Sequence, residues 1–180
     1  MNSFSLITEL SAALLNCLCT AVSGMPAADR PQHCCYRVGT EPVHGVSLDQ
    51  IDLCCEGLAY VIVGDVYPSI ESFPDNDIVR QIQGNCYPPA WAVAFRTGIV
   101  GCVPDDDDCA TNNAAFTANL YRVQALNQAM CCFRAFINTS TTFMGMNLVI
   151  ERQVQGSTSG GCTDRYVNLV AQIPNLDCCG

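Results

Sequence analysis

Four pairs of adjacent cysteines, Cys34-Cys35, Cys54-Cys55, Cys131-Cys132 and Cys178-Cys179, constrain this chain more than any other feature of it. On an extended segment neighbouring side chains point to opposite faces, so the two members of a pair look for different partners. Cys17, Cys19, Cys86, Cys102, Cys109 and Cys162 bring the total to fourteen in 180 residues. A single domain of this length buries roughly two-thirds of its unfolded surface and needs no covalent staples to fold. The cysteines therefore need another reason: disulfides, metal ligation, or service as small apolar core side chains.

A structural zinc site brings two cysteines onto one ion across a turn of about two to four residues. This sequence has no Cys-x-x-Cys and only two histidines, His33 and His44, so no metal or other cofactor is expected. Disulfides suit the adjacent pairs better. The candidates are Cys34, Cys35, Cys54, Cys55, Cys86, Cys102, Cys109, Cys162, Cys178 and Cys179, with the connectivity left open. Cys17, Cys131 and Cys132 fall on helical stretches, where a buried thiol is as good a reading as a staple.

Charge narrows the function. Seventeen acidic residues stand against eight basic ones, all of them Arg, for a formal net charge of −9. Such a chain is poorly built to hold nucleic acid by neutralising phosphates. With 49% apolar and 14% charged residues it is not a disordered chain either. No uninterrupted apolar run reaches the roughly 18 residues of a membrane span. Residues 6–22 could pass for the apolar part of a secretory signal, but no Lys or Arg precedes them, and Glu9 and Asn16 interrupt them.

Periodicity predicts a helix over about 5–23 instead, with Leu6, Leu10, Ala13, Leu14, Cys17, Leu18 and Ala21 on one stripe, Ser5 as N-cap and Gly24 at the end. Glycines and prolines make 25–57 irregular apart from a short strand at Cys34–Val38. Leu58–Tyr67 is β-branched and aromatic and predicts a strand. Pro68–Asp77 is a loop. Ala90–Cys102 alternates, with Trp91, Val93, Phe95, Thr97 and Ile99 on one face. A second helical stretch covers 112–137, capped by Thr111 or Asn112, with Phe116, Leu120, Val123, Met130, Phe133 and Ile137 in helical period. Strands at Phe143–Val154 and Arg165–Ile173 close the chain, joined by a turn at 155–161. The order predicts one α+β domain over 1–180: a mainly antiparallel sheet with both helices on one face, a core spanning about 34–173, and a short C-terminal tail.

Catalytic signatures are missing. Neither histidine stands in a nucleophile motif, and His33 next to Cys34 on a strand would face away from it. Asp75 and Asp77 lie in a Pro-rich loop. The run Asp105–Asp108 lacks the glycine and terminal glutamate of a calcium loop. Gly160-Gly161 does not open a helix and so does not cradle phosphate. No enzyme is expected.

A set of landmarks carries further information by its order. LNCLC at 15–19 lies on the first helix, followed by Cys34-Cys35. CCEG at 54–57 then runs into LAYVIVGDVYPS, with Phe73-Pro74 beyond. Cys86, Trp91 and GCVP at 101–104 come next, then a long helix bearing Cys131-Cys132, SGGC at 159–162 and the pair Cys178-Cys179. Over nearly its whole length the chain thus resembles neck proteins of long-tailed (siphovirus-type) bacteriophages, especially those of actinobacterial hosts, and among them the tail terminators. It departs from that pattern after SGGC, where Thr-Asp-Arg-Tyr replaces a Gly and a Trp.

The resemblance implies a virion protein, assembled in the host cytoplasm, that forms a homo-oligomeric ring, usually a hexamer, on the head-proximal end of the tail tube. The ring would end tube polymerisation and join the tube protein to the head-completion proteins. DNA would pass through its lumen without specific binding, and no membrane is involved. A closed ring repeats one heterologous contact, so two unlike patches must match. Arg80, Arg96, Arg122, Arg134 and Arg152 are candidates for such contacts, since guanidinium groups make bidentate pairs with carboxylates. Some of Asp105, Asp106, Asp107 and Asp108 are expected on the lumen or at a subunit interface, where acidic walls let DNA slide. Another connector or stopper protein of the neck is the nearest alternative. A secreted disulfide-rich binding protein is the alternative of a different class.

Overall fold

The computed structural model describes residues 2–37, 56–69, 72–75, 90–102, 108–156 and 162–174. Val38, Cys54, Cys55, Asp77, Arg80, Cys86, Asp105–Asp107, most of the turn at 155–161, Cys178 and Cys179 lie outside the described residues.

Among the described residues two helices, α1 (Ser3–Ser23) and α2 (Cys109–Thr139), accompany six strands: β1 (His33–Tyr36), β2 (Leu58–Pro68), β3 (Ala90–Cys102), β4 (Leu148–Ile150), β5 (Val154–Gln155) and β6 (Cys162–Pro174). The sheet runs β1-β2-β3-β6-β4, with β5 also paired to β6. β1 is parallel to β2, and every other pairing is antiparallel. The architecture is therefore α+β, as expected, with a mixed sheet that stays open.

α1 starts earlier than its sequence suggests. Asn2 is the N-cap, its Oδ1 accepting from the Ser5 N–H at 2.8 Å, while Ser5 Oγ accepts from the Asn2 N–H at 3.1 Å. Ser5 is thus the inner half of a capping box and not the cap itself. The Gly24 N–H closes the other end on the carbonyl of Ala21. The stripe is real: Leu6, Leu10, Leu14 and Leu18 are each at most 2% exposed. By length and composition α1 could cross a membrane. In the fold its leucines pack instead into one core with Ala125, Leu126, Ala129 and Phe133 of α2 and the near face of the sheet.

That near face is the one read from β3. Val93, Phe95 and Ile99 join Ala59 and Val61 of β2 and Val167, Leu169, Ala171 and Ile173 of β6 in the core, with Trp91 packed partly buried beside them. Thr97, fully buried among them, satisfies its hydroxyl by donating to the Tyr60 carbonyl at 3.2 Å. On the far face Leu58, Tyr60, Ile62, Val100 and Cys162 make a second, smaller cluster.

Two expectations need correction. Phe143–Val154 is not one strand. α2 ends at Thr139 with Ser140 as its C-cap, and Gly145 takes a φ of +86°, a left-handed conformation that breaks an extended run. The turn it makes folds Phe143 under Phe136, with ring centroids 5.8 Å apart. Only Leu148–Ile150 and Val154–Gln155 then reach β6, one after the other along the same edge. The second correction concerns α2. It is one continuous helix capped by Asp108, whose carboxylate accepts from the Thr111 N–H at 3.3 Å, rather than by Thr111 or Asn112. Its first half is inverted: Phe116 and Leu120 are 63% and 50% exposed, while Arg122 is only 7% exposed.

Candidate functional site

The cysteines sit where they tie the helical layer down. α1 turns by about 100° per residue, so Cys17 and Cys19 leave it in widely different directions. Cys17 bonds Cys132 on α2, with Cα atoms 5.7 Å apart, and Cys19 bonds Cys34 on β1, with Cα atoms 5.8 Å apart. Both spacings are ordinary for disulfides. One helix is therefore clamped both to its helical neighbour and to the edge of the sheet. Cys102 and Cys162 are disulfide-bonded as well.

Cys35, Cys109 and Cys131 are free and exposed. The two adjacent pairs among the described residues each hold one bonded and one free cysteine, rather than two cysteines bonded to different partners. Cys34 turns toward α1 and is bonded, whereas Cys35 points away; Cys132 is bonded and Cys131 is not. Cys35 and Cys109 were disulfide candidates, and within this chain they stand unbonded because their strand or helix face turns them to solvent. Cys19 and the Cys17–Cys132 bridge were the members that sequence did not single out. Iodoacetamide applied to the native, unreduced protein should label Cys35, Cys109 and Cys131 and leave Cys17, Cys19, Cys34 and Cys132 untouched in a peptide mass map.

Across the far face of the sheet, Tyr60 lies over Gly98 and reaches β6. The register pairs Tyr60 with Gly98 and Gly98 with Tyr166. A Cβ at Gly98 would stand 2.5 Å from the Tyr60 hydroxyl and 2.8 Å from the Arg165 carbonyl. Glycine is what leaves room for the ring. The Tyr60 hydroxyl then donates to the Asp164 carboxylate, 2.8 and 3.0 Å from its two oxygens. Next to it Arg96 stacks 4.3 Å above the Tyr166 ring and donates to Asn168.

Burial, and after it the Asp164 charge, holds the Tyr60 phenol far above its ordinary value of 10.0. The unfolded chain ionises this tyrosine near pH 10 and the folded chain does not. Stability from Tyr60 is therefore intact below pH 10 and is lost as the pH climbs above it, at up to about 1.4 kcal/mol per pH unit. Urea unfolding of wild type and Tyr60→Phe between pH 8 and pH 11 should show a smaller alkaline loss in the variant. At pH 7 the same variant should be less stable by about 1.5–3 kcal/mol, the worth of a hydrogen bond to a charged group.

The inverted end of α2 makes the third feature. Arg122 enters from the helix and lies against Gly101 of β3, where even one added carbon would overlap its guanidinium. It makes one long hydrogen bond, 3.5 Å, to the Cys102 carbonyl, and no carboxylate lies within ion-pair distance among the described residues. Burial holds its guanidinium below the ordinary value; the Asp29 charge opposes this and the Arg165 charge adds to it. Arg122 separates two clefts. One, of about 240 Å³, has Asp29, Arg30 and Glu56 on its wall. The other, of about 280 Å³, is lined by Phe116, Asn119, Gln155 and Thr163 as well as Arg122. Arg165 binds across the second cleft, donating to Asn119 Oδ1 and Gln155 Oε1, both at 2.9 Å.

The remaining sequence candidates do not converge. Arg134 and Arg152 are exposed on α2 and on the β4–β5 connection, and Asp108 is spent on the α2 cap. Arg96 belongs to the far face of the sheet and Arg122 to the near one. No three His, Cys, Asp or Glu side chains gather around a common point among the described residues. Sequence reasoning named Arg122 but not its burial, and it missed Thr163, Asn119 and Gln155; the one available signal was an Arg on the apolar side of a helical period. In comparisons with protein families and with curated proteins, no family model and no curated protein matches the chain.

Proposed function

We propose that this chain is a structural protein of a phage neck, a ring that caps the head-proximal end of the tail tube and joins it to the head-completion proteins. The observation that carries the reading is the order of the landmarks from LNCLC at 15–19 to Cys178-Cys179. The fold is consistent with it. Among the described residues the open sheet ends on β1 at one side and on β4 and β5 at the other. Two unlike edges on opposite sides suit the head-to-tail contact from which rings are closed. The disulfides suit a particle that leaves the reducing cytosol and holds packaged DNA under load. A net charge of −9 suits a passage through which DNA moves without being held.

Native mass spectrometry of the purified protein, alone and mixed with tail tubes, tests this. The reading expects a closed homo-oligomer, six copies in the family pattern, either free or at tube ends. A chain that stays monomeric and leaves tube ends bare contradicts it. The disulfides also favour a second reading, a secreted binding protein, which would be recovered from culture fluid free of particles.

A further inference from the structure

We propose that the cleft bounded by Arg122, Thr163, Asn119 and Gln155 is a binding site for a carboxylate carried on an apolar body. A buried guanidinium with no carboxylate in ion-pair contact is costly, and such a group keeps its proton. Arg122 is 7% exposed, and its one hydrogen bond is long. Thr163 is 5% exposed, and its hydroxyl has no partner. Both line the same cleft. Asn119 and Gln155 direct their oxygens to Arg165, which leaves their NH₂ groups as the unspent ends. Every unspent polar group around the cleft can therefore donate, and no acidic side chain is among the lining residues.

That donor set recognises an acceptor with two oxygens and a negative charge. The rim specifies the rest. Phe116 lines the cleft, and it and Leu120, one turn on, are exposed on the same helix. A ligand whose acid reaches Arg122 would lay an apolar group over them. Two sources share this chemistry: an acidic side chain beside an apolar residue on a second copy of the chain, or a free organic acid.

Phenylacetate is the probe, with acetate, inorganic phosphate and uncharged benzyl alcohol beside it, titrated into isotope-labelled full-length protein and followed by NMR, with native mass spectrometry in parallel. Saturable phenylacetate binding at the cleft, at least tenfold weaker in Arg122→Gln and several-fold weaker in Thr163→Val, is expected, with benzyl alcohol not binding. If a second copy supplies the acid, the protein is oligomeric, and phenylacetate or Arg122→Gln shifts it toward monomer. If a free acid is the ligand, binding leaves the mass unchanged. An unpaired charge kept for binding also predicts that Arg122→Met melts higher than wild type. Equal binding of benzyl alcohol overturns the proposal. So does tighter binding of phosphate than of phenylacetate, or an Arg122→Met that melts lower. A wild type that neither binds phenylacetate nor changes mass in Arg122→Gln overturns it too. Thr163→Val keeps the test decisive should the arginine variants fail to fold.

Discussion

Replacing Cys17 and Cys132 together with alanine is expected to lower the unfolding free energy of the oxidised protein by about 4–5 kcal/mol. The bridge spans a sequence separation of 115 residues, so cutting it releases a long loop in the unfolded chain, which is the chief stabilising effect of a cross-link in the chain-entropy account. Cys19–Cys34 spans 15 residues, and its removal should cost less, about 3 kcal/mol. A domain of this size has a total stability of roughly 5–15 kcal/mol, so the first variant gives up a larger share of it than the second. Urea denaturation of the two variants gives the order. Wild type in excess dithiothreitol should be at least as unstable as the Cys17/Cys132 variant. Equal stability of the reduced and oxidised proteins would contradict the role given to these bonds.

Gly98→Ala is expected to cost about 2–3 kcal/mol, toward the upper end of what overpacking a core does. The added carbon meets two things at once. The Tyr60 ring can swing away only by giving up Asp164, and the Arg165 carbonyl at 2.8 Å belongs to the β6 backbone, which cannot yield without loosening the β3–β6 ladder. Tyr60→Phe in the same background should recover part of the loss and not all of it, because the backbone contact remains. Thermal or chemical unfolding of the two single variants and the double variant measures the coupling. Full recovery would mean that the tyrosine alone fixes the spacing between β2 and β6.

How far the fold could be read in advance depended on which interaction decided each element. The faces of β3 and α1 were legible because burial sets them: the bulky Trp91, Val93, Phe95 and Ile99 take alternate positions, and Leu6, Leu10, Leu14 and Leu18 repeat along α1. The segment after α2 was not. Met144, Met146, Leu148 and Ile150 alternate as a strand should, but Gly145 at positive φ turns the chain, and Met144 is left 70% exposed. A period of two cannot signal a turn whose cause is one backbone angle. The start of α2 failed for a different reason. Phe116 and Leu120 keep the helical period yet face solvent, because the short side chains Ala114, Ala115 and Ala118 and the buried Arg122 take the place beside β3. The disulfide partners were equally hidden, since Cys17 meets Cys132 only after both helices pack.

The proposed neck role is tested most directly by asking whether this chain is present in tailed phage particles and, in a reconstruction with symmetry imposed along the tail axis, where it sits. The account predicts a closed ring of this fold between the last ring of tube protein and the head-completion proteins, its acidic surface toward the DNA path. Particles that lack the chain, or that carry it anywhere other than the junction of head and tail, would contradict it.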